Sequence, residues 1–319
     1  MDQWVMSALE RNVNEVDLCF HFQFNGTDRP LGYTLPQPLL NARSLAVLSL
    51  FRCSLHETDV AVPRLRKLYM KEVLLVHQET LKSLLLSCSS SIEDLKLSFC
   101  KELRSLKLGP NMSQLKFVKI KNCHDLSSLF IGLPSLDTLL LEEATSGQVQ
   151  LNYLEALKVL KLNRHTIDET LLQAISGAPN LEILECDRFE FTTKLKISSP
   201  RLKRLINASK RDYFDYFFGL HWSTPFIYIE SPQLLRFDLK MYLDDYESNW
   251  ICLLIDSLAK CCNDMDLKFV LYCSRDVIIH ESFCDVFYLF KLRLHRNEAI
   301  ITSKGFAELL DDVLMKKPR

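Results

Sequence analysis

Glycine and proline are scarce in this chain, 8 and 11 among 319 residues. That scarcity excludes a collagen-like or low-complexity disordered protein, which needs far more of both. A surplus of positive charge is missing as well. Lysine and arginine total 39 against 40 aspartates and glutamates, for a formal net charge of -1. A general nucleic-acid binder needs a basic excess to displace phosphate counterions, so no nucleic-acid partner is expected, although the balance still permits a local basic strip. No run of about 18 apolar residues occurs, so no membrane partner or spanning helix is expected. The start, Met1-Asp2-Gln3-Trp4, has neither a basic nor an apolar stretch, and no secretory signal is expected from it. Cysteine is not scarce, but its number, 11, is odd, and several sit where a core residue belongs. Buried free thiols behave as small hydrophobes and stay reduced in the cytosol or nucleus, so a cytoplasmic or nuclear location is the expectation. The glycosylation matches at Asn25, Asn111 and Asn207 are then chance occurrences.

Signatures of catalysis are missing too. The chain has no phosphate loop, no G-x-S-x-G elbow and no dinucleotide fingerprint. His21, His56, His77, His124 and His165 are scattered, most near turns, with no evident nucleophile beside them. Cys261, Cys262, Cys273, His280 and Cys284 gather near the C-terminus, yet zinc sites use ligand pairs at short regular spacing and no C-x-x-C pair occurs there. Buried structural cysteines account for them better. The expectation is no enzyme, no cofactor and no metal. An enzyme would have to use the residues after 243 as a small separate domain.

What is present is repetition. The pattern L-x-x-L-x-L-x-x-N/C fits in full at Leu45, Leu48, Leu50 and Cys53, at Ile92, Leu95, Leu97 and Cys100, and at Leu115, Val118, Ile120 and Cys123. Looser copies start at Val13, Leu65, Leu136, Leu157, Leu181, Leu202 and Leu234. Ten copies in order identify a leucine-rich-repeat solenoid of the α/β class with a parallel sheet. In Leu95-Lys96-Leu97 the leucines point inward and Lys96 outward, because side chains alternate along a strand. A single coil cannot bury its own leucines, so neighbouring coils must stack over one continuous core. The Asn or Cys at the ninth position closes the turn and bonds to backbone leaving the sheet.

Two further copies, Leu103-Leu106-Leu108 and Leu126-Leu129-Ile131, fall half a coil out of phase. The return side there is extended, which predicts a second parallel sheet, and Leu195-Lys196-Ile197 carries the same pattern. Other returns read as helices. Thr80 to Ser91 sets Leu81, Leu84, Leu85 and Cys88 on one face, and Asp168 to Ser176 does so with Leu171, Leu172 and Ile175 before a closing Gly177. The division expected is a capping helix at 1-12, with Trp4, Val5, Ala8 and Leu9 over the first coil, a repeat array at 13-243, and a C-terminal cap or small α/β extension at 244-319. In that extension Trp250 to Cys262 and Ser303 to Met315 read as helices, and Leu267 to Leu271, Val277 to Ile279 and Val286 to Leu294 as strands.

These segments resemble the plant F-box/leucine-rich-repeat family. The likeness rests on Trp4 through Phe20, on Ser91-Ile92-Glu93-Asp94-Leu95-Lys96-Leu97 through Cys100, on Leu103 to Leu108, and on the strand starts Ser199-Pro200-Arg201-Leu202 and Ser231-Pro232-Gln233-Leu234. It covers about residues 1 to 295. The resemblance implies the substrate-reading part of a ubiquitin-ligase receptor, partnered by a protein substrate. In that family an F-box docks a Skp-type adaptor. The chain is expected to open in the helix that follows an F-box, so no residue here is assigned to the adaptor, which would join only through a supplied or cryptic F-box. A free-standing scaffold or decoy without ligase association is the alternative.

Two candidate surfaces follow. Between the core leucines, Lys67, Tyr69, Lys71, Lys96, Phe117, Lys119, Lys121, Lys161, Glu185 and Asp187 would line the concave sheet, basic in the middle coils and acidic near Glu185. That strip suits an acidic peptide or phosphate; an ordinary solvated β face accounts for it as well. The second surface is the aromatic run Tyr213 to Tyr228, with Tyr213, Tyr216, Phe217 and Trp222, inside an interval of 32 residues between Leu202 and Leu234. Aromatics concentrate in binding hot spots, and they also fill the cores of insertions that fold back.

Overall fold

The structure is a computed structural model. It describes residues 2-20, 33-57, 59-144, 147-163, 166-167, 169-187, 190-191, 195-197, 199-208, 227-229, 231, 233-243, 266-273, 294-295 and 298-302. The chain divides into two compact units, Met1–Leu157 and Lys158–Arg319.

The first unit is a stack of coils on a parallel sheet. Its strands Glu15–Cys19, Val47–Phe51, Lys67–Lys71, Asp94–Ser98, Phe117–Lys121 and Thr138–Glu142 pair in chain order without a slip in register. Each strand is the x-L-x-L-x stretch of one repeat copy. Leu48, Leu50, Leu68, Met70, Leu95, Leu97, Val118, Ile120, Leu139 and Leu141 point into the core and are buried. The intervening side chains stand on the other face, as two-residue periodicity requires. Glu15–Cys19 is the edge strand of this unit, with Glu15 and Asp17 exposed.

At the end of each main strand but the first the chain turns through a left-handed residue, and none of these residues is glycine. Arg52, Glu72, Phe99, Asn122 and Glu143 have φ between 47° and 56°. Such a conformation costs an L-residue on the order of 1 kcal/mol. Its return is continuity of the ladder. The amide of Arg52 donates to Lys71 O, Glu72 to Ser98 O, Phe99 to Lys121 O and Asn122 to Glu142 O, at 2.8 to 3.0 Å. The following residue then drops into the core, which explains the cysteines at the ninth position. Cys53, Cys100 and Cys123 are buried, and Cys123 Sγ donates to Lys121 O at 3.5 Å.

Past that turn the coils diverge. Tyr33–Thr34, Cys53–Leu55 and Leu74–Leu75 form a short parallel sheet, and Ser105–Leu108, Ser128–Gly132 and Gln148–Asn152 form another. The half-coil copies thus build the second sheet that their phase predicts, with Leu106 paired in register to Leu129, and Leu129 to Val149. One coil returns instead as the helix Gln78–Ser87, whose Leu81, Leu84 and Leu85 are buried beside Cys88. It stops four residues short of the predicted Ser91. The Ser87 hydroxyl bonds Leu84 O and Ser91 Oγ bonds Cys88 O, local bonds that compete with the helix ladder, while Ser91 Oγ also reaches Pro63 O and Leu65 O of the previous coil.

The helix Asp2–Glu10 forms where its spacing places it, but Trp4 does not pack as expected. Val5 is buried while Trp4 is 83% exposed. At 100° per residue the inward stripe runs through Val5, Ala8 and Leu9, and Trp4 falls outside it.

The second unit continues the same logic. Val159–Asn163, Ile183–Asp187, Arg204–Ala208, Arg236–Leu243 and Asp266–Cys273 pair in parallel, and Glu298–Thr302 then adds antiparallel. Leu195–Ile197 pairs with Ile227–Ile229 on the return side. The helix Glu169–Ser176 buries Leu171, Leu172 and Ile175 as its period dictates. Gly177 is not left-handed, however. Its amide closes one more helical bond to Gln173 O at 2.8 Å.

Serine hydroxyls stitch the coils together. Ser44 Oγ donates to Val13 O, Ser91 to Leu65 O and Ser135 to Leu115 O in the first unit. In the second, Ser199 Oγ donates to Leu181 O and Ser231 Oγ to both Ser199 O and Leu202 O. Ser199 and Ser231 are buried. The Ser-Pro-x-Leu strand starts therefore serve to bond each coil to the one before it.

Candidate functional site

The exposed face of the first unit's sheet is three rows of side chains, fixed by the register. One row reads Glu15, Val47, Lys67, Asp94, Phe117 and Thr138. The next reads Asp17, Ser49, Tyr69, Lys96, Lys119 and Leu140, and the third Cys19, Phe51, Lys71, Ser98, Lys121 and Glu142. Three adjacent strands, Lys67–Lys71, Asp94–Ser98 and Phe117–Lys121, carry five lysines on this face against one aspartate.

Those lysines differ in how they are held. Lys96 Nζ lies 4.1 Å from the Tyr69 ring centroid and 5.1 Å from that of Phe117, and 3.3 Å from Asp94 Oδ2. The same carboxylate oxygen accepts the Tyr69 hydroxyl at 2.7 Å. Burial and the bond to Asp94 push the Tyr69 phenol up to about 12, so it stays a donor at any physiological pH. The result is a platform of two rings holding one ammonium between them, an arrangement in which cation–π attraction adds to the ion pair.

Lys119 and Lys121 are two residues apart on one strand and converge on Glu142 of the next. Lys119 Nζ meets Oε1 at 2.9 Å and Lys121 Nζ meets Oε2 at 2.7 Å. Partial burial works against the charge on Glu142, but the bonds from Lys121 and Lys119 outweigh it and hold the carboxyl below the usual glutamate value. Lys71 stands exposed with its ammonium 4.9 Å from the Phe51 ring centroid, and Arg52 covers the same ring at 4.8 Å while bonding Glu72 Oε2 at 2.7 Å. Lys67 is exposed. The face therefore has two chemically different parts, an internally neutralised aromatic platform and lysines that reach solvent or a single carboxylate.

In the second unit Lys161 Nζ meets Glu185 Oε2 at 2.6 Å, so the acid of that strip is matched by a base on the neighbouring strand. Asp187 ends the strand Ile183–Asp187, in register with Asn163 and Ala208. Tyr213, Tyr216, Phe217 and Trp222 lie outside the described residues, as do the helices read at 250-262 and 303-315, the strand at 277-279 and most of that at 286-294.

Glu142, Phe51, Arg52 and Leu140 belong to this face and were not singled out in the sequence. Glu142 and Leu140 sit at outward positions of the copy starting at Leu136, so counting that looser copy with the same template finds them. Arg52 was hidden because it lies one residue beyond the strand and reaches Phe51 only through its left-handed turn.

One histidine does meet a hydroxyl. His56 Nε2 lies 3.1 Å from Ser54 Oγ, a serine partner that the sequence did not suggest. Ser54 also faces Thr34 Oγ1 at 3.4 Å and is 3% exposed, which keeps its hydroxyl from a substrate. Among the described residues no group of three or more His, Cys, Asp or Glu side chains could hold a metal ion, and no helix is long and apolar enough to cross a membrane.

Comparison with known proteins agrees with the repeat. No curated protein and no solved structure matches the chain. A family model described as "At1g61320/AtMIF1, LRR domain" matches residues 1–265. Leucine-rich-repeat domains are in general non-catalytic modules that bind protein partners. With its unbroken register of x-L-x-L-x strands and a match over most of its length, the chain belongs to the At1g61320/AtMIF1 leucine-rich-repeat domain family.

Proposed function

We propose that this chain is a substrate-reading module that takes an acidic segment of a partner protein on the exposed sheet face of its first unit. One observation carries the reading: five lysines against one aspartate on three adjacent strands, interleaved with Tyr69 and Phe117. Aromatic side chains supply contact area at low entropic cost, and unevenly distributed lysines select a partner of opposite sign. Lys67, Tyr69, Lys71, Lys96, Phe117, Lys119 and Lys121 form the core of this face. Lys161, Glu185 and Asp187 belong to a second contact, on the second unit's own sheet, and the aromatics Tyr213, Tyr216, Phe217 and Trp222 to a third. The division at residues 12 and 243 into cap, array and extension belongs to the same proposal. So does a cytoplasmic or nuclear setting, which the buried free thiols of Cys53, Cys88, Cys100, Cys123 and Cys186 support.

The finer reading is the substrate-recognition part of an F-box-type ubiquitin-ligase receptor, supported by the order of motifs from Trp4 to Leu108 and by the two Ser-Pro-x-Leu starts. The free-standing scaffold has its own support, since the matching family model is described as a repeat domain. Affinity purification of the tagged chain from plant cells, followed by mass spectrometry, separates the two. Recovery of a Skp-type adaptor and a cullin is expected of the receptor, and recovery of other proteins without them sinks it. Repeating the purification with Lys67 and Lys71 both changed to Glu tests the face itself. Undiminished recovery of every partner refutes the basic-face assignment.

A further inference from the structure

Resting on the acidic-partner reading, we infer that Glu142 is an internal stand-in for the partner's acidic side chain, and that Lys119 with Lys121 is the subsite it occupies until a partner displaces it. The geometry has three parts. First, the two ammoniums come from alternate residues of one strand, so both stand on the same face and reach a single carboxylate, one to each oxygen, at 2.9 and 2.7 Å. This is the two-point grip that a carboxylate from a partner needs. Second, none of the three side chains is sealed in: Lys119, Lys121 and Glu142 keep 29%, 39% and 26% of their side-chain surface exposed. An incoming acid can meet the ammoniums without opening the core. Third, the neighbouring lysine is not available for the task, because Lys96 is held between Tyr69 and Phe117 and bonded to Asp94.

The surroundings narrow the ligand further. The register places Leu140 beside Lys119 and Phe117 beside Thr138, both half-buried on the exposed face. An acidic residue entering between the lysines brings its neighbours in the peptide against Leu140 and Phe117. The preferred partner is therefore an acidic peptide with apolar residues next to the acid. Glu142 sets the threshold, since a ligand must outcompete a carboxylate already tethered at the subsite.

The test is fluorescence anisotropy of the full chain with a fluorescein-labelled Glu-Ser-Leu repeat peptide. Glu142→Gln keeps the shape and removes the competitor, and tighter binding by about five-fold is expected from the size of such exposed ion pairs. Glu79→Gln, on the helix Gln78–Ser87, removes the same unit of charge away from the subsite and should leave binding unchanged. In a chain already carrying Lys119→Met and Lys121→Met, Glu142→Gln should bring no gain. Equal gains from Glu142→Gln and Glu79→Gln reduce the effect to net charge and overturn the inference. So does wild-type binding that Glu142→Gln leaves unaltered, an outcome in which the acidic-partner reading survives. Absence of binding by both the wild type and Glu142→Gln overturns the inference and the reading together.

Discussion

Replacing Leu129 with Ala tests whether the return side of the coils is a true core or a surface ornament. Leu129 sits in the central strand of the second sheet of the first unit, in register with Leu106 on one side and Val149 on the other, and is 1% exposed. Leu95, on the main sheet between Leu68 and Val118, is 0% exposed and serves as the reference. Each change deletes three carbons, a transfer loss of about 2.4 kcal/mol at roughly 0.8 kcal/mol per carbon, and the residual cavity brings the cost to about 3 kcal/mol. Leu106 is in the outer strand, 5% exposed, and lines a groove of about 400 Å³ beside Leu81 and Leu85. Its surroundings have room to relax, so Leu106→Ala should cost less, about 2 kcal/mol. Urea titrations followed by circular dichroism give the three differences, and amide exchange over Ser128–Gly132 shows whether the loss is local. A cost below about 1 kcal/mol at both Leu129 and Leu106, with about 3 kcal/mol at Leu95, refutes the two-sided core. Leu106→Asp and Leu95→Asp are the harsher form of the test. Both bury an unpaired charge, and both should leave no cooperative unfolding transition.

Two further outcomes are expected. Asn122→Val should destabilise the fold by about 1–2 kcal/mol, because a β-branched residue tolerates φ of 51° worse than asparagine does, whereas Asn122→Gly should be neutral or mildly stabilising; equal melting temperatures for all three chains would contradict the assigned turn. At pH 8, iodoacetamide should label Cys19 and leave Cys53 and Cys88 unlabelled. Burial pushes both of those thiols up to about 12, and the reactive thiolate forms only as pH approaches that value or the coil opens, so rapid native-state labelling of Cys53 counts against its burial.

How much was legible beforehand depends on the range of the interactions. The x-L-x-L-x strands were readable because alternation is a property of neighbours in sequence, and Leu95 and Leu97 have no other way to share one face. The second sheet was readable for the same reason, as Leu103-Leu106-Leu108 repeats the pattern half a coil away. The end of the helix at Ser87 was not. It is set by Ser91 reaching Pro63 and Leu65, carbonyls of the previous coil that no local pattern contains. Trp4 misled because a large apolar residue near a helical stripe was counted into it, although the angle excludes it. At the binding face, the identity of the outward residues followed from alternation, and the basic middle coils were visible. Their pairing was not. Lys96 between two rings and Glu142 beneath two lysines depend on strand register, which sequence spacing constrains only once the coils are stacked.

The serine stitches have a mechanical consequence. Each one ties a coil to the coil before it, Ser231 to Ser199 O and Ser199 to Leu181 O, and none skips a coil. Load applied to the end of such a stretch passes through every interface in series, and the terminal coil, held on one side only, releases first while those behind it stay folded. Within each unit the stretch should therefore yield under force as a series of small steps of roughly one coil each, absorbing work gradually, where a domain whose core joins segments far apart in sequence would give way at once.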